Sequence, residues 1–147
     1  MSSIKLKVVN RRQFDRKIQR QSKGVQRNME RVVNLITNEV RNIAVTSILR
    51  NPRTGGSTTR YNPKRTINIS SAGDAPASDT GFLASNISSK IDASRLGAEV
   101  ISNADYSEAL EFGTIKMSAR PFMQPAAEQA RKKYKADSVN AIKKGLK

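Results

Sequence analysis

Apolar positions in this chain follow a helical period first and a period of two later. They recur at Phe14, Ile18, Val25, Met29, Val32, Ile36, Val40, Ile43 and Ser47 or Ile48, mostly three or four residues apart. That spacing puts them on one helix face and predicts a helix over about 11–50, capped by Asn10 and stopped by Asn51-Pro52. Such a helix would run about 60 Å at 1.5 Å per residue. Its early turns carry Arg11, Arg12, Arg16, Lys17, Arg20, Lys23 and Arg27, and must face solvent, an acidic partner or nucleic acid. The stretch 32–48 is more apolar and is the candidate core half. Gly24 costs about 1 kcal/mol relative to Ala in a helix interior and marks a candidate bend or break. Before the helix, Ile4-Lys5-Leu6-Lys7-Val8 alternates like a lysine-guarded edge strand.

Past the helix the period changes. Residues 53–79 are rich in Gly, Ser, Thr, Asn and Pro, and only Thr66-Ile67-Asn68-Ile69 alternates, so 51–79 reads as one long extended loop. Thr80-Gly81 opens a segment with Leu83 and Ile87. Two short strands at 88–93 and 98–102, turned by Ser94-Arg95-Leu96-Gly97, predict a hairpin. Asp105 with Glu108 three residues on has the form of a capping box. Tyr106, Ala109 and Leu110 give that short helix an apolar face, and Gly113 supplies a left-handed terminus. Pro121 and Pro125 both stand where another helix can begin. That last helix, over about 121–145, shows a thin apolar stripe of Ala126, Ala130, Tyr134, Val139 and Ile142 above its Lys and Arg. The elements predict one α+β domain over 1–147: long N-terminal and C-terminal helices packed on a small antiparallel sheet, with a long extended loop.

Composition narrows the chemistry. The chain has 147 residues, 37% of them hydrophobic and 5% aromatic, a sparse supply for a core. Part of its order is therefore expected to come from partner subunits. It holds no Cys and no His. A disulfide, a thiolate or imidazole zinc site and a Ser-His-Asp triad are excluded. No segment has the length and apolarity of a signal peptide or a membrane span, so a soluble protein made in the cytosol is expected.

Net charge is +15, and it is segregated. Residues 1–65 carry a net of +13, residues 66–130 a net of −4, and residues 131–147 a net of +6. A basic–acidic–basic layout suits a polyanion partner, head-to-tail contact between copies, or a plain solvated basic face. Few aromatics stand among the basic residues, which disfavours stacking on single strands, and no reader motif for nucleic acid is visible. Asp105, Glu108 and Glu111 share a helical face that could hold a hard cation. The capping box explains the first two with less machinery. Asp74 and Asp79 read as turn formers. No enzyme activity and no cofactor are expected.

Two blocks carry a resemblance. The first is Pro52-Arg53-Thr54-Gly55 followed by Ser71-Ala72-Gly73-Asp74-Ala75-Pro76 and Asp79-Thr80-Gly81-Phe82-Leu83. The second is Tyr106 to Leu110-Glu111-Phe112-Gly113-Thr114, a spacer containing Met117, then Ala119-Arg120-Pro121-Phe122-Met123. In that order they resemble the small head–tail joining or tail-completion proteins of the neck of long-tailed phages. The resemblance implies a structural virion protein, present in the host cytoplasm during assembly. It implies a homo-oligomeric ring around the DNA channel, a hexamer first and a dodecamer as the alternative closure. Its partners would be head-completion, tail-terminator or tail-tube proteins and the phage DNA, with no membrane. A tail terminator, another minor tail protein and a basic nucleic-acid-binding module are the competing readings.

No catalytic residue carries over. Structural or interface importance is implied for Thr80, Gly81, Leu83, Glu111, Phe112, Gly113, Arg120, Pro121 and Phe122. Arg53, Arg60, Lys64 and Arg65, in the long loop, are expected to face the DNA channel or a partner. Phe112 and Phe122 are expected in the sheet-side core, and Arg120 on a carboxylate, either Glu111 or one from a neighbouring copy.

Overall fold

A 40-residue helix, α1 (Arg11–Arg50), organises the protein. The computed structural model describes residues 11–50, 54–93 and 95–146. The edge strand expected at 4–8, the Asn10 cap, the Asn51-Pro52 stop, Arg53 and Ser94 lie outside these. After α1 come β1 (Ser57–Tyr61), β2 (Lys64–Asn68), α2 (Phe82–Ser85), β3 (Ile87–Ile91), β4 (Ala98–Ser102), α3 (Ser107–Phe112) and α4 (Met123–Gly145). The architecture is α+β with long helices at both ends, as the periodicities predict. Its strands form two separate antiparallel hairpins rather than one sheet.

Packing follows the apolar pattern where large side chains write it. Ala44 and Ile48 from the C-terminal part of α1, Leu83 and Ala84 from α2, Ile87 from β3, then Ala104, Phe122 and Ala126 form one buried cluster. Phe122, Ile48 and Ile87 are its largest fully buried side chains. Each such burial contributes about 1.5–3 kcal/mol. The β3–β4 hairpin pairs Ile87 with Ser102 and Ile91 with Ala98, so Ile87 enters the core beside α1.

The two long helices run antiparallel. Gln21 Nε2 donates to the Leu146 carbonyl at 2.8 Å, Asn28 Nδ2 to the Ala141 carbonyl at 3.3 Å, and Lys133 Nζ meets Glu39 Oε2 at 2.6 Å. Gly24 does not break α1. A Cβ there would stand 2.9 Å from the Gly145 carbonyl oxygen, and one on Gly145 would stand 2.6 Å from the Val25 backbone. Glycine lets two backbones touch where any side chain would part them. The buried stripe of α4 is Ala126, Ala130 and Ala141, with Tyr134 half-buried. Val139 and Ile142, expected in that stripe, are exposed. Small residues here win over branched ones because the axes approach too closely for a larger side chain.

The long loop also differs from expectation. It contains the β1–β2 hairpin, in register from Ser57↔Asn68 to Tyr61↔Lys64, around a turn with a cis Asn62–Pro63 bond. Every residue of β1 is exposed, so no apolar alternation announces it.

Candidate functional site

Between α3 and α4 the chain builds a compact device from backbone and one carboxylate. α3 ends at Gly113, whose N–H donates to the Ala109 carbonyl at 2.9 Å. Gly113 has φ 78° and ψ 179°, a region that side-chain-bearing residues essentially avoid. A Cβ there would also meet the Met117 oxygen and the Ala119 nitrogen, each at 2.8 Å. The chain then reverses: Thr114 N–H donates to the Met117 carbonyl at 2.8 Å, and Arg120 N–H returns to the Leu110 carbonyl at 2.7 Å.

This reversal brings the start of α4 over the end of α3. Glu111 Oε2 accepts from the N–H groups of Phe122 at 2.9 Å and Met123 at 3.0 Å, and Oε1 accepts from Gln124 N–H at 2.8 Å. The first turn of any helix leaves N–H groups without intrahelical partners and a partial positive charge. α4 has no side-chain cap of its own at Phe122. A half-buried carboxylate eleven residues upstream does that work with charge-assisted bonds. The Glu111-Phe112-Gly113 and Arg120-Pro121-Phe122 segments are thus two halves of one joint.

Around the joint the expectations divide. Phe122 is 1% exposed and packs in the core, whereas Phe112 is 74% exposed. α3 turns Leu110, half-buried, toward the core, and Phe112, two residues on, falls on the opposite side of this six-residue helix. Arg120 does not pair with Glu111, whose oxygens are taken by amides. Its Nε is buried without a hydrogen-bond partner, and it makes no ion pair among the described residues. Pro121 precedes the α4 cap and lies outside the helix. The Asp105 capping box does not form: α3 begins at Ser107 after Tyr106, with no side-chain cap.

The upstream block meets the same place. Gly73 N–H donates to the Ala119 carbonyl at 2.9 Å. Gly81, left-handed at φ 80°, starts α2, which sends Leu83 and Ala84 into the core. The Thr80 hydroxyl accepts from Phe82 N–H at 3.3 Å, and the Phe82 ring lies 6.3 Å from that of Tyr106.

The loop cations cluster on Asp79. Arg65 Nη2 is 2.7 Å from Asp79 Oδ1 and Arg60 Nε is 3.7 Å from Oδ2. Arg60 and Arg65 are cross-strand partners, and like charges directly opposite repel. Asp79 offsets that repulsion and ties the hairpin to the segment before α2. Lys64 is exposed beside the turn. Asp74 accepts from the Thr54 hydroxyl. Among the described residues no group of Asp and Glu is arranged to hold a metal ion. Among them, too, no helix is long and apolar enough to cross a membrane.

Exposed apolar side chains surround the joint. Ile115 is fully exposed. An open groove of about 810 Å³ runs between α1, β4, α3 and α4, lined by Ile36, Val40, Val100, Ile101, Phe112 and Met123 among others.

Comparison with known proteins gives a family match. The family described as "Bacteriophage HK97-gp10, putative tail-component" matches over residues 12–113. The match takes in α1, both hairpins, α2 and α3, and stops at Gly113. The Arg120-Pro121-Phe122 half of the joint, and all of α4, lie beyond it. No curated protein and no solved structure matches the chain.

Proposed function

The chain belongs to the HK97-gp10-like family of bacteriophage tail components, and from that premise we propose that it is a structural protein of the virion neck, a subunit of a closed ring that completes the head–tail connection around the DNA channel. The family match, over more than two-thirds of the chain, carries the reading. Ring subunits meet through two different patches of one protomer, arranged so that the rotation closes. Two features support such patches. Phe112, Ile115 and the adjoining groove form an apolar face that no described residue covers. The β1–β2 hairpin, exposed throughout β1 and carrying Arg60, Lys64 and Arg65, is anchored through Asp79 and leaves its strand β1 open to solvent. A two-stranded hairpin is marginal alone and gains order against a neighbour.

In this reading the hairpin cations face a partner copy, and the role is scaffolding rather than catalysis. Six copies form the ring, which contacts head-completion protein on one side and tail-terminator or tail-tube protein on the other. The protein is made in the host cytoplasm and ends in the virion.

Quantitative mass spectrometry of purified particles should find about six copies per virion, on the ring closure proposed. Phage lacking the protein should accumulate filled heads and separate tails. Copies running the length of the tail tube, or none in the particle, would sink the neck reading and favour a minor tail protein.

A further inference from the structure

We propose that the paired basic halves of α1 and α4 form the surface through which each copy contacts duplex DNA. The inference rests on the neck reading for the presence of DNA, but the surface itself is read from charge and geometry.

In the sequence the two basic segments are separated by the acidic middle of the chain. The fold removes that separation. Hydrogen bonds from Gln21 to Leu146 and from Asn28 to Ala141 lay the C-terminal part of α4 along the N-terminal part of α1. The Gly24–Gly145 contact draws their axes close. On α1, Arg16, Arg20, Lys23, Arg27 and Arg31 are exposed and fall four, three, four and four residues apart. That spacing makes one continuous stripe, about 22 Å long at helical rise. α4 adds six more exposed cations between 131 and 144. Against these, segments 16–31 and 131–145 hold only two acids, Glu30 and Asp137. Lys133, held by Glu39, is the one arm cation in an ion pair among the described residues.

Cations packed this densely on two touching helices repel one another, and a polyanion relieves the repulsion. Protein interfaces are anchored by buried aromatics. Between 16 and 31 on α1 and 131 and 145 on α4 the one aromatic side chain is Tyr134, half-buried against α1. The same lack of aromatic side chains disfavours a single strand, whose bases need stacking platforms. The exposed large apolar side chains at 16–31 and 131–144 are the aliphatic Ile18, Val139 and Ile142, set among the exposed cations and without an exposed aromatic anchor. Such a rod fits the regularly spaced phosphates of a duplex, bound without regard to sequence.

The test is fluorescence anisotropy of a labelled 30-base-pair duplex with the full chain, titrated from 50 to 300 mM NaCl, values chosen to bracket the ~10 Å screening regime. Neutralising four arm cations (Arg20→Gln, Lys23→Gln, Lys132→Gln, Lys143→Gln) should weaken binding more than tenfold at about 100 mM salt. It should also flatten the log–log salt slope by about 3 to 4. The charge-conserving set (Arg20→Lys, Lys23→Arg, Lys132→Arg, Lys143→Arg) should bind within twofold of the parent, as should the hairpin set Arg60→Ala, Lys64→Ala, Arg65→Ala. Circular dichroism checks that helix content is unchanged, and mass photometry without DNA reads the oligomer. The proposal is overturned if the parent binds no duplex, if the neutralised arm binds as well as the parent, or if the hairpin set loses as much. Loss of the oligomer in the arm variant would overturn it too, assigning the arm to contact between copies. An intact ring with no DNA binding sinks this inference and leaves the neck reading standing. A parent that never oligomerises yet binds DNA through the arm does the reverse.

Discussion

Replacing Glu111 with Ala removes the acceptor of three backbone amides at once and leaves the buried Phe122 N–H without a partner. We expect a loss of about 2 kcal/mol or more in urea denaturation, with Glu111→Gln recovering part through its remaining carbonyl oxygen. Gly113→Ala should cost about 1–3 kcal/mol by the same assay, since its backbone conformation and its contacts with Met117 and Ala119 both exclude a Cβ. The two phenylalanines should separate cleanly: Phe122→Ala loses about 3–5 kcal/mol, whereas Phe112→Ala stays within about 0.5 kcal/mol as a monomer and weakens self-association. The sequence assigns Gly113 to the end of α3 and both rings to the core, and it gives Glu111 no role beyond the motif and a candidate pairing with Arg120. Local pattern assigns a carboxylate to its own helix, and the amides Glu111 serves lie on the next one, after a reversal that no periodicity encodes. Nor can residue type choose between Phe112 and Phe122, because the fold decides which of the two positions faces the core.

Among the elements, those written in large apolar side chains were legible. α1 keeps its period for forty residues and is helical from Arg11 to Arg50, and β4 appears at its expected bounds. The β1–β2 hairpin was not legible as such, because a strand exposed on both faces has no alternation to display. Its remaining signals are the threonines at 58, 59 and 66 and the Asn62-Pro63 turn. The contact stripe of α4 was half legible, since Ala141 and Gly145 carry little hydropathy while exposed Val139 and Ile142 carry much. A consequence can be measured at Gly24. Alanine is the better helix former by about 1 kcal/mol, yet Gly24→Ala should not stabilise the protein, because its Cβ meets the Gly145 carbonyl at 2.9 Å. A bulkier Gly24→Val should separate the helix ends and lower the melting temperature. The Glu39 hydrogen bond and charge raise the Lys133 ammonium above its ordinary 10.5. That contribution is fully present at neutral pH and fades only as pH climbs through the raised value, so helix pairing should be insensitive to pH near neutrality.

At the scale of the whole molecule, a modest core supports an unusual amount of unshielded surface. From the net charge of +15 and uncovered Phe112 and Ile115 we expect stability to depend on company. The melting temperature should therefore rise with protein concentration, because association adds free energy to the folded side alone. A transition independent of concentration would speak against self-association. Charge segregation was plain in the sequence, whereas the meeting of its two basic ends depends on the antiparallel helices and was not. The matched family segment ends at Gly113, and Glu111, just inside that limit, holds the first turn of α4 beyond it. Chemically, that carboxylate is a socket: it takes three free amides and a positive helix end from the next element. Any helix set in that socket must also bring Phe122 and Ala126 to the shared core and a residue as small as Gly145 to the α1 contact, so the joint fixes where α4 starts and the packing fixes what it can be.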